Sequence, residues 1–212
     1  MVTATPPATA RADLVRRGRL LAWFTIAWNA LEGLVGIAAG IAAGSIALIG
    51  FGVDSYVEVF AGGVVLWRLS KEGLGQHLSE AAERRATRLI ALTFFALAIG
   101  IGSESIRKLI TGSEPEESVV GLVLAVVSLI VMPLLARAKR RVGVALDSQA
   151  LQADATETSL CVWLSAILLA GLGLNALFGW WWADPLAGLA IVYVAAREGW
   201  ENWNAEELDD CC

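Results

Sequence analysis

The sequence predicts an all-α membrane protein of six transmembrane helices, and three observations predict it. Of its 212 residues 57% are hydrophobic, with a mean hydropathy of +0.63, where soluble domains are about 45–50% apolar. The apolar residues gather into six runs. Within a run there is no alternation of apolar and polar positions, so a membrane barrel is excluded and each run is a helix that satisfies its own backbone hydrogen bonds in lipid.

The runs cover Leu20–Ala42, Gly44–Leu69, Leu89–Ile110, Val119–Leu135, Ala150–Phe178, and Pro185–Tyr193 with its flanks. Most approach or exceed the roughly 20 residues needed to cross a bilayer core, and the sixth is the shortest. The first follows an arm containing Arg11, Arg16, Arg17 and Arg19, but no small-residue cleavage site follows a short apolar core, so it is expected to be retained. Gly36, Gly40 and Gly44 recur every fourth residue and give that helix a smooth face for close packing. Before the sixth run, Trp180, Trp181 and Trp182 suit an interfacial belt.

Charge gives the orientation. Fourteen of the 16 basic residues fall in the N-terminal arm, in the second-to-third connection (Arg68, Lys71, Arg84, Arg85, Arg88), in the fourth-to-fifth (Arg137, Lys139, Arg140, Arg141) and at Arg197. Only Arg107 and Lys108 lie on the opposite side, so both termini are expected in the cytoplasm. The expected organisation is a cytoplasmic arm over residues 1–18, a six-helix membrane domain over 19–203 and a short acidic tail over 204–212, with the cell membrane as its location. Basic residues in short clusters, with no stripe among them, argue against nucleic-acid binding. Three cysteines do not make a disulfide framework, though Cys211 and Cys212 beside two aspartates offer soft-metal ligands.

Ionisable side chains inside a span cost about 2.5–3.5 kcal/mol each and ordinarily face a cavity or a partner. The second run holds Asp54 and Glu58; the fifth holds Asp154, Glu157 and Cys161; the first holds Asn29 and Glu32. Asp54 and Glu58 are four apart and share a helical face, as do Glu157 and Cys161. If the two faces meet, three carboxylates or fewer and one thiol are offered to one point, the ligand number and types of a four-coordinate zinc site. A thiolate turns preference from magnesium and calcium toward zinc or cadmium, with manganese or iron suited to the site if Cys161 is not a ligand. Such a set cannot all stay ionised and empty in a low-dielectric interior. An incoming dication therefore displaces protons, which makes proton-for-metal exchange by alternating access the expected mechanism.

Asp154 reads as a group that supports the ligands from behind or relays protons, and Asn29 and Glu32 as lining of the cavity. Glu104 and Asp184 fall near the outer helix ends, as rim or exit-path residues. His77 reads as a solvated loop residue. The bland alternative for Asp54 and Glu58 is a polar pair that holds neighbouring helices together, and for Cys161 a small buried apolar group. Gly171-x-Gly173-x-x-Ala176 is not a nucleotide loop, since no strand precedes it. One loop histidine leaves no Ser-His-Asp arrangement, no phosphate-binding loop occurs, and no enzymatic activity or prosthetic group is expected.

These residues resemble the cation diffusion facilitator family of proton-coupled metal transporters. GSIALIGFGVDSYVEVFAG looks like the family's apolar stretch leading into Asp-Ser-x-x-Asp, with Asp54 and Glu58 on the two acids. ALQADATETSLCVWLS looks like Ala-Asp-Ala-x-His-x-x-x-Asp, with Asp154 on the leading acid, Glu157 on the histidine and Cys161 on the last aspartate. The Asn29 and Glu32 segment leading to Gly44–Ser45, and Asp184–Pro185, agree further. The resemblance implies six helices, cytoplasmic termini, a membrane homodimer and a metal site between helices 2 and 5. It also implies a cytoplasmic domain after helix 6; this chain reads as a short form without one, its dimer held by the membrane helices. Two functions compete with metal export: a membrane metal sensor or assembly partner that does not transport, and a proton-coupled exporter of organic cations.

Overall fold

The computed structural model describes residues 8–72, 80–146 and 148–209; His77, Cys211 and Cys212 lie outside them. Six helices follow one another: α1 Ala8–Ala43, α2 Ile46–Glu72, α3 Glu80–Thr111, α4 Val119–Leu146, α5 Gln149–Phe178 and α6 Ala183–Asp209. Four of them, α1, α2, α4 and α5, are long and apolar enough to cross a membrane. α3 and α6 carry more charge and pack closely on each other. The short sixth apolar run is the first part of a 27-residue helix whose second half is polar, because helical hydrogen bonding does not stop where hydropathy falls.

The helices pair as α1 with α2, α4 with α5, and α3 with α6, and α2 also touches α3, α5 and α6. That central place buries the face of α2 bearing Asp54, Ser55 and Glu58. Outward faces are apolar instead. On α4, Val120, Val123, Val127, Ile130 and Leu134 are exposed, a continuous surface of the kind that lipid covers.

Three connections lie at one end of the bundle, each with a glycine in the left-handed region: Gly44 (φ 63°), Gly112 (φ 64°) and Gly179 (φ 66°). At the first, the chain reverses between α1 and α2 within a residue or two, a geometry that a side chain resists. Gly44 therefore belongs to the turn, not to the packing face of α1. Its carbonyl accepts a hydrogen bond from Lys108 Nζ. Ser45 then caps α2, its Oγ accepting from Leu48 N at 3.1 Å. Asp184 completes the junction: one carboxylate oxygen accepts from Ser45 Oγ and the other from Ile46 N at 2.9 Å. Fully buried, Asp184 ties the start of α6 to the start of α2; it is a joint between helices and not a rim residue.

The remaining glycines of α1 do form the close face. A carbon added at Gly40 meets Ile49 N at 2.8 Å, and one at Gly33 meets Gly52 O at 2.8 Å. From the α2 side, a carbon on Gly52 meets Ile37 N at 2.7 Å. These neighbours are backbone and cannot swing aside. Gly52→Ala is therefore expected to cost about 1–3 kcal/mol of stability, seen as a lower unfolding temperature of the purified protein. Gly63→Ala, whose added carbon meets open space, is expected to show no loss.

Candidate metal-transport site

Asp54 and Glu58 lie eight and twelve residues past the start of α2, which puts them about 12 and 18 Å from the glycine-turn end at 1.5 Å per residue. Both are buried, at 5% and 6% exposure. Cys161 of α5 stands close to both. Cys161 of α5 donates through Sγ to Asp54 Oδ2 at 3.4 Å, so the predicted meeting of the α2 and α5 faces occurs. Asn29 of α1 donates through Nδ2 to Glu58 Oε2 at 2.8 Å and to the Thr25 carbonyl at 3.1 Å. Glu58 Oε1 has no hydrogen-bond partner.

A cavity of about 20 Å³ opens beside these acids. Asp54, Glu58, Glu157 of α5 and Glu198 of α6 line it, with Val57, Phe94 and Leu164 among its apolar walls. A space of roughly 10–15 Å³ on this measure admits one water, so the cavity fits a single small occupant. Glu157 is half-buried there. Cys161 does not line the cavity; it packs with Met132 and Leu135 of α4. Among the described residues, no three His, Cys, Asp or Glu side chains are drawn together as a ready metal-holding group. The arrangement is an acidic cavity with open coordination, not a closed four-ligand centre.

Asp154 stands apart from the cavity. Its Oδ2 is 2.8 Å from Lys139 Nζ of α4, in an ion pair with 0% and 3% side-chain exposure. Lys139 also donates to Thr158 Oγ1 at 2.8 Å, and Thr158 donates to the Asp154 carbonyl at 3.0 Å. Glu32 accepts from Ser55 Oγ at 3.1 Å, and its Oε1 is unpartnered. Asn29 and Glu32 thus face α2, Asn29 fixing one carboxylate oxygen of Glu58.

Two residues of this region were missed in the sequence. Lys139 was counted with the basic connection, and Glu198 was passed over beside Arg197. A signal existed for both. The buried positions of α4 are Gly121, Ala125, Ser128, Met132, Leu135, Ala136, Lys139, Gly143 and Leu146; apart from Ala136 they recur at steps of three and four, and the lysine falls in that row. On α6 the buried row Ala187, Ile191, Ala195, Glu198 ends on the glutamate in the same way.

Known proteins bear on this geometry. A transporter of Synechocystis sp., named as uncharacterized, is 28% identical over 153 residues, covering 70% of this chain and 49% of its own length. One of Methanocaldococcus jannaschii, named likewise, is 29% identical over 178 residues, covering 82% and 62%. The cation-efflux pump FieF of Citrobacter koseri is 29% identical over 201 residues, covering 87% and 65%. The chain thus spans 49% to 65% of the length of these relatives. The model of the cation efflux transmembrane domain matches residues 22–203, nearly the whole six-helix bundle, and the chain is a membrane protein belonging to the cation efflux family.

Proposed function

We propose that the chain exports a divalent metal ion from the cytoplasm in exchange for protons. The observation that carries this reading is the small cavity lined by Asp54, Glu58 and Glu157, of which the buried Glu58 has one carboxylate oxygen without a partner. Carboxylates enclosed by apolar walls favour a dication that cancels their charge, and their protons leave as it enters. Among the relatives, the protein of Citrobacter koseri is a cation-efflux pump, which supports the direction.

Zinc or cadmium is the cargo this reading favours, because the Cys161 thiol stands 3.4 Å from Asp54 Oδ2 and a small rotation adds sulfur to an ion held by Asp54. Manganese or iron(II) fits if the thiol keeps its packing against Met132 and Leu135. A bulky organic cation fits poorly, since the cavity admits one water-sized body. The reading includes cytoplasmic termini, the three glycine turns outside, and a homodimer in the cell membrane held by its helices.

Transport into proteoliposomes tests it. With the interior acidic relative to the outside, zinc uptake is expected to rise several-fold over the rate without a gradient, for molecules inserted with the basic end outward. No flux of zinc, cadmium, manganese or iron(II) under either condition rejects it. Tight zinc binding without flux favours the non-transporting sensor instead.

A further inference from the structure

We propose that Glu198 of α6 binds the transported cation directly, making the site one of three helices. The inference rests on the metal-transport reading above and adds to it a ligand from α6.

The face of α6 is specific. Val194, Ala195 and Glu198 all line the cavity, and their spacing of three and four puts them on one side of the helix. Arg197 points elsewhere, its guanidinium paired with Glu201 at 2.7 Å and 60% exposed. Two neighbouring charged residues are thus sorted to opposite surroundings, and Glu198 is 8% exposed on the inner side. Depth agrees as well. Glu198 is fifteen residues past Ala183, about 22 Å from the glycine-turn end, against about 18 Å for Glu58.

Close packing holds it there. A carbon added at Gly199 meets Phe94 Cβ and Phe95 Cε1 at 3.2 and 3.1 Å, so α6 lies tight on α3 next to the cavity wall that Phe94 supplies. Glu58 lines the same cavity, nine-tenths buried, with Oε1 unpartnered. A divalent cation satisfies that oxygen and balances two carboxylate charges, with protons retained on the remaining acids. With Glu198 the cavity offers four carboxylates and no sulfur of its own, a set suited to manganese and other oxygen-seeking divalent ions. Zinc can draw on Cys161 as well and depends less on α6.

Calorimetric titration of the full-length protein in detergent with manganese chloride, and separately with zinc chloride, provides the test. Glu198→Gln is expected to weaken manganese binding at least about tenfold, and more than it weakens zinc. Glu198→Asp, which keeps the charge, is expected to recover most of the manganese affinity and guards against a mere folding defect. Unchanged manganese affinity in Glu198→Gln overturns the proposal. Asp54→Asn separates the two ideas: if it abolishes binding while Glu198→Gln does not, only the role of Glu198 fails. If the wild-type protein binds neither ion, the transport reading fails with it.

Discussion

Lys139→Met is expected to destabilise the protein by about 3–5 kcal/mol, because it leaves the Asp154 carboxylate buried without its cation. The pair is fully enclosed, with 0% exposure for the lysine and 3% for the aspartate side chain, so water cannot replace the missing charge. Thr158 also loses the donor that Lys139 supplies at 2.8 Å. The double variant Lys139→Met/Asp154→Leu removes both charges and is expected to recover most of the loss, since an apolar pair of similar volume commonly equals a buried ion pair in stability. Unfolding of the purified protein in denaturant, followed by tryptophan fluorescence, measures the cycle. Equal losses in the single and double variants reject the coupling.

The pair also divides labour on α5. Asp154 and Glu157 are three residues apart, yet the first is engaged by α4 and the second faces the cavity. With its charge met by Lys139, Asp154 is poorly placed to serve as a ligand. It sets instead how α4 and α5 lie together, and so where Glu157 and Cys161 stand. The double variant is accordingly expected to bind metal once folded, a result that a ligand role for Asp154 forbids.

Helix number and the paired faces of α2 and α5 were legible because they depend on local quantities. Run length decides the first; the four-residue spacings of Asp54 with Glu58 and of Glu157 with Cys161 put each pair on one face of its helix, and the resemblance to the family supplied the expectation that the two faces meet. What sequence did not reveal depends on how far a helix continues past its apolar run. Lys139 and Glu198 both stand where hydropathy has already fallen, and a basic cluster or a glutamate beside an arginine reads there as solvated surface. The structure buries one member of each because α4 and α6 keep their rows of inward positions at steps of three and four. Asp184 was misread for a related reason. Its place at a helix start suggested exposure, but the chain reversal at Gly44 brings the start of α2 against it, and the two orphan donors there, Ser45 Oγ and Ile46 N, are satisfied by its carboxylate. Each miss concerns a partner distant in sequence, which periodicity on a single helix cannot name.

Asp54→Asn is expected to lower metal affinity by more than about a hundredfold, beyond the loss common for an indirect contact, and to stop transport. Asparagine keeps the shape and can still accept from Cys161 Sγ, which now bonds Oδ2 at 3.4 Å. Loss of function in this variant therefore reports the missing negative charge and not a collapsed helix. Cys161→Ser separates the remaining roles of the thiol. Serine preserves the donor to Asp54 but removes sulfur, so zinc and cadmium binding should fall while manganese binding holds, as measured by titration with each ion. If all three fall together, the thiol acts only by positioning Asp54. The selectivity of the cavity then lies wholly in its carboxylates, because Asp54, Glu58, Glu157 and Glu198 are the ionisable groups that line it.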